Sequence, residues 1–258
     1  AEADSAKGFT LKGSAGVSNI TGGPGPDTIE GGLGDDIIIG GPTSAPTVVD
    51  TLKGGDDNDV FRYKADNELF HASTHGSKPS ELIDTIEGGS GTDEIQINND
   101  SGTDFVIENT DKFDKANLSI EKITALSTNK AITIALKGDA HNNGLTTIDL
   151  SGDTDTTAKT NTINVSLELE TTRGFTLTGG VMRDDITGGS GDDVINGGTD
   201  AVAETLIGGP GNDKFIYKLD THLFPNSGTQ LPIDIITGGD GEDVFDGAVN
   251  FAPSTGRR

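Results

Sequence analysis

The sequence predicts an all-β chain, a parallel β-roll or β-solenoid in which short strands alternate with tight glycine-rich turns. Three observations predict it. A nine-residue pattern recurs: GGxGxD, any residue, an apolar residue and a ninth position. A longer segment is duplicated, and the stretch between the copies consists of short β-branched runs flanked by turn residues.

The full nonapeptide occurs at 22 (GGPGPDTIE), 31 (GGLGDDIII), 88 (GGSGTDEIQ), 188 (GGSGDDVIN), 208 (GGPGNDKFI) and 238 (GGDGEDVFD). A relative at 54, GGDDNDVFR, puts Asp57 where the last turn glycine should be. Degenerate copies stand at 13 (GSAGVSNIT) and 179 (GGVMRDDIT), and the copies at 40 and 197 are stretched by insertions. Glycines at positions one, two and four supply a tight turn with exposed carbonyls. The aspartate at six closes that turn, and the apolar residue at eight points inward from a short strand. Nine residues then make half a coil and eighteen a full turn.

The duplication is visible in Gly8-Phe9-Thr10-Leu11 against Gly174-Phe175-Thr176-Leu177, and in DVFRYKADNELF (59–70) against DKFIYKLDTHLF (213–224). Two repeat blocks, 8–97 and 174–247, are therefore versions of one unit. Between them, in 98–173, the runs Ser119–Ala125, Ala131–Leu136, Thr146–Leu150 and Asn161–Leu167 predict further solenoid turns without a regular metal motif; a separate small β-sandwich is the alternative. A helical turn is compatible with Asp111–Leu118.

Half-turn counting predicts which loops face each other. One edge carries Ser18, Asp36, Asp59 and Asp93, the other Asp27, Asp50 and Asp84. In the second block the edges read Asp184, Glu204, Asp234 and Asp193, Asp213, Asp243. Asp27 should pair with the loop ending in Asp50 and Asp36 with that ending in Asp59, never with each other. The insertions become excursions from a retained frame, because Asp50, Asp84, Glu204 and Asp234 each keep an apolar residue two positions on. Stacked carboxylates and turn carbonyls are the hard oxygen ligands that calcium takes six to eight at a time. The formal net charge of -24 points the same way, since 42 acidic side chains repel one another unless a multivalent cation intervenes.

The pattern resembles the RTX, or haemolysin-type calcium-binding, repeats, whose consensus is GGxGxDxUx with U apolar. The resemblance implies a right-handed parallel β-roll, several bound calcium ions and secretion by a type I pathway to the bacterial cell surface or medium. It implies ligation by the sixth-position carboxylates Asp27, Asp36, Asp59, Asp93, Asp193, Asp213 and Asp243. Carbonyls of the turns join them, at Gly23, Gly25, Gly32, Gly34, Gly55, Asp57, Gly89, Gly91, Gly189, Gly191, Gly209, Gly211, Gly239 and Gly241. Asp50, Asp84, Asp184, Glu204 and Asp234 follow from the register. The pattern departs at Ser18, a weak ligand, and at Arg183, whose cation competes for metal space. A disordered acidic linker is the competing reading, but it has no use for the apolar eighth position; it describes the expected calcium-free state.

Composition excludes other classes. With no cysteine there are no disulfides, zinc thiolates or cysteine nucleophiles. The negative charge opposes nucleic acid as a partner. No apolar stretch is long enough to span a membrane. The start at Ala1 without methionine reads as a processed product or a fragment. His71 and His75 sit in HASTHG, which lacks the glutamate of HExxH; with His141 and His222 they read as loop residues. No GxSxG elbow is present. A non-catalytic, calcium-dependent extracellular structural or adhesive module is expected, of the S-layer or matrix kind, contacting copies of itself or cell-surface glycans and proteins. The alternative is the detached secretion and folding region of a larger RTX enzyme or toxin. Leu69-Phe70 and Leu223-Phe224, on excursions at 63–82 and 217–232, read either as a plug closing the roll or as a partner contact.

Overall fold

The computed structural model describes residues 7–42, 48–64, 69, 84–99, 102–108, 118–126, 130–138, 140, 144–154, 156, 159–168, 173–198, 202–217 and 234–247. The four histidines, Phe70, Leu223, Phe224 and residues 111–117 lie outside them.

Among the described residues twenty short strands follow one another, and every pairing between them is parallel. The first block contributes β1 (Thr10–Lys12), β2 (Asn19–Thr21), β3 (Thr28–Leu33), β4 (Ile37–Ile39), β5 (Thr51–Asp56), β6 (Val60–Tyr63), β7 (Thr85–Ser90) and β8 (Glu94–Ile97). The centre adds β9 (Phe105–Ile107), β10 (Lys122–Ala125), β11 (Ile132–Gly138), β12 (Thr147–Asp149) and β13 (Thr160–Glu168). The second block holds β14 (Thr176–Thr178), β15 (Arg183–Thr187), β16 (Val194–Asn196), β17 (Thr205–Pro210), β18 (Lys214–Tyr217), β19 (Ile235–Asp240) and β20 (Val244–Gly247).

Alternate strands go to opposite faces, as a two-strand turn demands. All ten even-numbered strands form one sheet in sequence order, from β2 to β20. The odd-numbered strands form a four-stranded sheet (β1-β3-β5-β7) and a six-stranded one (β9 to β19). This is the parallel β-roll expected from the repeats. The central runs are turns of the same coil and not a separate sandwich: β10 pairs with β8, and β12 pairs with β14. The expected strand over 119–125 starts three residues later, at Lys122, because Leu118–Glu121 form the preceding turn. The strand at Phe105–Ile107 was not anticipated.

The core is a file of eighth-position side chains. Ile20, Ile38, Phe61, Ile95, Ile123, Ile148, Leu177, Ile195, Phe215 and Phe245 are register partners from rung to rung along the long sheet. Ile29, Leu52 and Ile86 face them from the first odd sheet, and Ile134, Ile163, Ile186 and Leu206 from the second. All are buried except the outermost rungs: Ile20 is half-buried and Phe245 is 54% exposed, stacking on Phe215 at 5.5 Å and tilted against Tyr217 at 6.1 Å. A solenoid rung is covered by its neighbours on both sides, and an end rung has only one. Leu69 is fully buried in this core, so the first excursion sends that residue inward as a plug would.

The odd face is interrupted between β7 and β9. There the Gly88 N–H donates to Leu118 O at 2.8 Å, so the backbone entering β10 takes the place of an adjoining strand. The even face continues across this point through Ile95 and Ile123. Truncating the fully buried Ile123 to alanine is expected to lower the unfolding free energy by about 2–5 kcal/mol, read by denaturant titration in calcium.

Candidate metal sites along the two edges

In the repeats most strands are entered through the aspartate at the sixth position, and parallel stacking brings these aspartates into columns. On one edge, the Ser18 N–H donates to Asp36 Oδ1 (2.6 Å), the Asp36 N–H to Asp59 Oδ1 (2.9 Å) and the Asp59 N–H to Asp93 Oδ1 (2.7 Å). On the other, Phe9 donates to Asp27 (2.6 Å), Asp27 to Asp50 (2.7 Å) and Asp50 to Asp84 (3.0 Å). The second block repeats the arrangement through Phe175, Asp193, Asp213 and Asp243, and through Glu204 and Asp234. Asp184 and Glu204 meet through the register of β15 and β17. Asp27 and Asp36 stand in different columns, and the excursions before Asp50 and Asp84 leave the frame intact.

In this ladder one carboxylate oxygen is spent on the preceding turn, and what remains is the other oxygen. In Asp36, Asp59, Asp93 and Asp213 that Oδ2 is buried without a hydrogen-bond partner. In Asp27 and Asp193 it accepts the N–H of the second glycine of its own loop, Gly23 (2.5 Å) and Gly189 (2.7 Å), and Asp184 Oδ2 accepts that of Gly180 (2.9 Å). Asp84 Oδ2 accepts the Tyr63 hydroxyl at 2.9 Å. The division follows the second glycine. Gly32, Gly55, Gly89 and Gly209 have φ between 116° and 128°, which only glycine adopts freely, and the strand runs on through them.

The unpartnered oxygens share a setting. A Cβ built on Gly31 would lie 2.4 Å from Asp36 Oδ2 and 2.7 Å from Gly54 O. On Gly54 it would meet Asp59 Oδ2 (2.1 Å) and Gly88 O (2.5 Å), and on Gly208 Asp213 Oδ2 (2.1 Å) and Gly238 O (2.6 Å). A carboxylate oxygen and a carbonyl of the next turn thus flank one point, left open because the first residue is glycine. Buried unpaired carboxylate oxygens are costly, and hard oxygens around a gap suit calcium. Among the described residues no three His, Cys, Asp or Glu side chains could hold a metal together, so an ion here must draw on backbone carbonyls.

Other expected ligands are placed as follows. Asp57 has φ 76°, confirming that it replaces a turn glycine; its carboxylate accepts the Gly34 N–H at 3.1 Å on the exposed surface. The turn glycines Gly25, Gly34, Gly91, Gly191, Gly211 and Gly241 stack on the loops before them, with a Cβ on Gly91 falling 2.1 Å from Asp57 O and one on Gly241 1.8 Å from Gly211 O. Gly239 lies against Gly209 in register. Arg183 does not enter the metal space: its guanidinium turns outward and pairs with Asp185 at 3.0 Å. Ser18 Oγ bonds to Gly16 O.

Two features carry no signature in the nonapeptide. Fifth-position side chains form a second, outer ladder, with Asn58 and Asn212 donating to Asp35 and Asp192 and then accepting from Thr92 and Glu242. The recurrence of Asp, Asn or Glu before the sixth-position aspartate is its only sequence trace. In the centre, Asn161 replaces the aspartate. Its Oδ1 accepts the Ile132 N–H at 3.0 Å, as an aspartate would, but its Nδ2 donates to Asp153 at 3.3 Å. Asp153 is fully buried and paired with the Lys159 ammonium at 2.7 Å, so a cation is built into the chain at this rung.

Burial of the charged form pushes Asp59, Asp93 and Asp193 up to about 6, and neighbouring carboxylates add to it; Asp50 and Asp213 are raised for the same first reason. At Tyr217, burial first and then the charges of Asp234 and Glu204 raise the phenol.

The nonapeptide family model for the RTX calcium-binding repeat matches four copies, over 12–42, 49–67, 83–106 and 233–249. The chain carries RTX calcium-binding repeats. The matched segments cover about a third of it, and the RTX copies at 188 and 208 outside them have the same ladder geometry. No curated protein and no solved structure matches the chain. An RTX repeat fold implies a structural, calcium-binding role, and RTX modules are generally non-catalytic.

Two outcomes are expected. Without calcium, the folded state binds more protons than the unfolded chain between about pH 4 and pH 6, so its stability rises as pH falls from 7 through 6. With calcium, protons displace the ion and stability falls over the same window. Circular dichroism in chelator should show more β-structure at pH 5 than at pH 7, and the thermal melt in calcium should fall over the same interval. Lys159→Met strands the buried Asp153 charge and is expected to cost about 3–5 kcal/mol, read by denaturant titration in calcium.

Proposed function

We propose that the chain is a non-catalytic extracellular scaffold ordered by several calcium ions, a structural or adhesive module at a bacterial surface. Its contacts are with copies of itself or with surface glycans and proteins. The carrying observation is the row of buried, unpartnered carboxylate oxygens at Asp36, Asp59, Asp93 and Asp213 facing glycine carbonyls of the next turn. Sites of this kind exist only when the turns are stacked, so ion binding and folding are one event. The ions held at these edges draw on the twelve acidic residues from Asp27 to Asp243 named above, together with the turn carbonyls.

A scaffold reading is favoured over that of an enzyme accessory because the central turns continue the ten-stranded sheet, and the described residues between the blocks add only more coil. Self-association is favoured by the exposed apolar residues at the two ends of the stack. Phe9 and Val17 lie at one end, and Ile235, Val244 and Phe245 at the other. Different surfaces meeting head to tail form open-ended assemblies.

The deciding experiment is a titration of calcium into metal-stripped protein, followed by circular dichroism and sedimentation velocity. A gain of β-structure followed by a rise in assembly size at millimolar calcium is expected. No gain of structure would end the calcium reading; structure without assembly would leave adhesion to other surface molecules.

A further inference from the structure

The carboxylate column does not stop with the last nonapeptide of the first block. The Asp93 N–H donates to Glu121 Oε2 at 2.8 Å, as the Asp59 N–H donates to Asp93. Glu121 returns the backbone contact, its own N–H reaching Asp93 O at 3.0 Å. The strand after it is in repeat register, with Lys122 opposite Glu94 and Ile123 opposite Ile95. Glu121 therefore stands at the sixth position of a turn that contains no GGxGxD and lies outside the matched segments.

The facing carbonyl is reproduced as well. A Cβ on Gly88 would lie 2.4 Å from Asp93 Oδ2 and 2.0 Å from Ser119 O. In the two preceding rungs the corresponding carbonyls belong to the first glycines, Gly54 and Gly88. Ser119 offers its carbonyl from a left-handed backbone conformation, φ 46°, the only such non-glycine besides Asp57 among the described residues. Asp93 is fully buried, and its Oδ2 has no hydrogen-bond partner. An unpaired buried oxygen, a carbonyl aimed at the same point and the Glu121 carboxylate held on the Asp93 N–H make a hard-cation site.

We infer that Leu118–Glu121 is an off-motif half-site, and that Asp93, Ser119 O and Glu121 hold a calcium ion between the last repeat of the first block and the central coil. The described residues of this turn contain no glycine, and a glutamate stands where the repeats place an aspartate. The inference rests on the calcium reading of the repeats. It also marks where the column ends. The next two rungs present Thr146, whose N–H donates to Glu121 O, and Phe175, and neither supplies a carboxylate.

The test is calcium alone, titrated calorimetrically into the metal-stripped full chain and into its E121Q and E121D variants, with circular dichroism to verify folding. Glutamine keeps an acceptor for the Asp93 N–H but removes the charge. E121Q should bind one ion fewer per chain, and E121D should keep the ion with affinity lowered about ten-fold. Equal stoichiometry and affinities in all three proteins overturn the Glu121 site and leave the repeat sites standing. If the unaltered chain binds no calcium, the underlying reading has failed instead. Should E121Q not fold in calcium, E121D decides by itself, and an unchanged affinity overturns the site.

Discussion

The hydrogen bond from a backbone N–H to the carboxylate of the next turn is the constraint on which the rest of this structure depends. It recurs at 2.6–3.0 Å along both edges and assigns one oxygen of Asp27, Asp36, Asp50, Asp59, Asp84, Asp93, Asp213 and Asp243 to the neighbouring coil. The bond fixes register without any long loop being specified, so the turns stay aligned across insertions. It also places like charges one above another at strand spacing, about 4.8 Å. A stack built this way is self-opposing until something positive enters it.

The repeats meet that requirement in two ways. Where Gly32, Gly55, Gly89 and Gly209 take a positive φ, the outer oxygen of Asp36, Asp59, Asp93 or Asp213 is left without a hydrogen-bond partner. Where the second glycine of a loop does not, its N–H turns onto the carboxylate and supplies a partial positive charge from the backbone. The centre uses a third solution, the Lys159–Asp153 pair with Asn161 beside it. The chain thus passes from turns with stacked carboxylates to a middle where Lys159 pairs with Asp153 and back, while one sheet runs through all three zones.

Much of this was legible from spacing. Asp50, Asp84 and Glu204 were assigned to columns across excursions because the apolar residue two positions on marks the inward face, and the inward face sets the register. The eighth-position residues Ile29, Ile38, Phe61 and Phe215 were legible as core for the same reason. Glu121 was not legible, because its turn has lost every glycine and is recognised only by what it stacks against. Nothing in the spacing of the threonine-rich stretch marks Lys159 and Asp153 as a buried pair. Sequence periodicity reports where a side chain points; it does not report which of two carboxylate oxygens is already taken.

The break in the odd-numbered face has a mechanical consequence. A bend that opens the even face must part hydrogen-bonded strands somewhere along ten rungs. A bend that opens the other face at Leu118–Glu121 disturbs a junction made by a few backbone bonds and the Asp93–Glu121 contact. The molecule is built like a strap with its continuous fibre on one side, stiff in one direction and compliant in the other, with the compliant point a third to half of the way along its length.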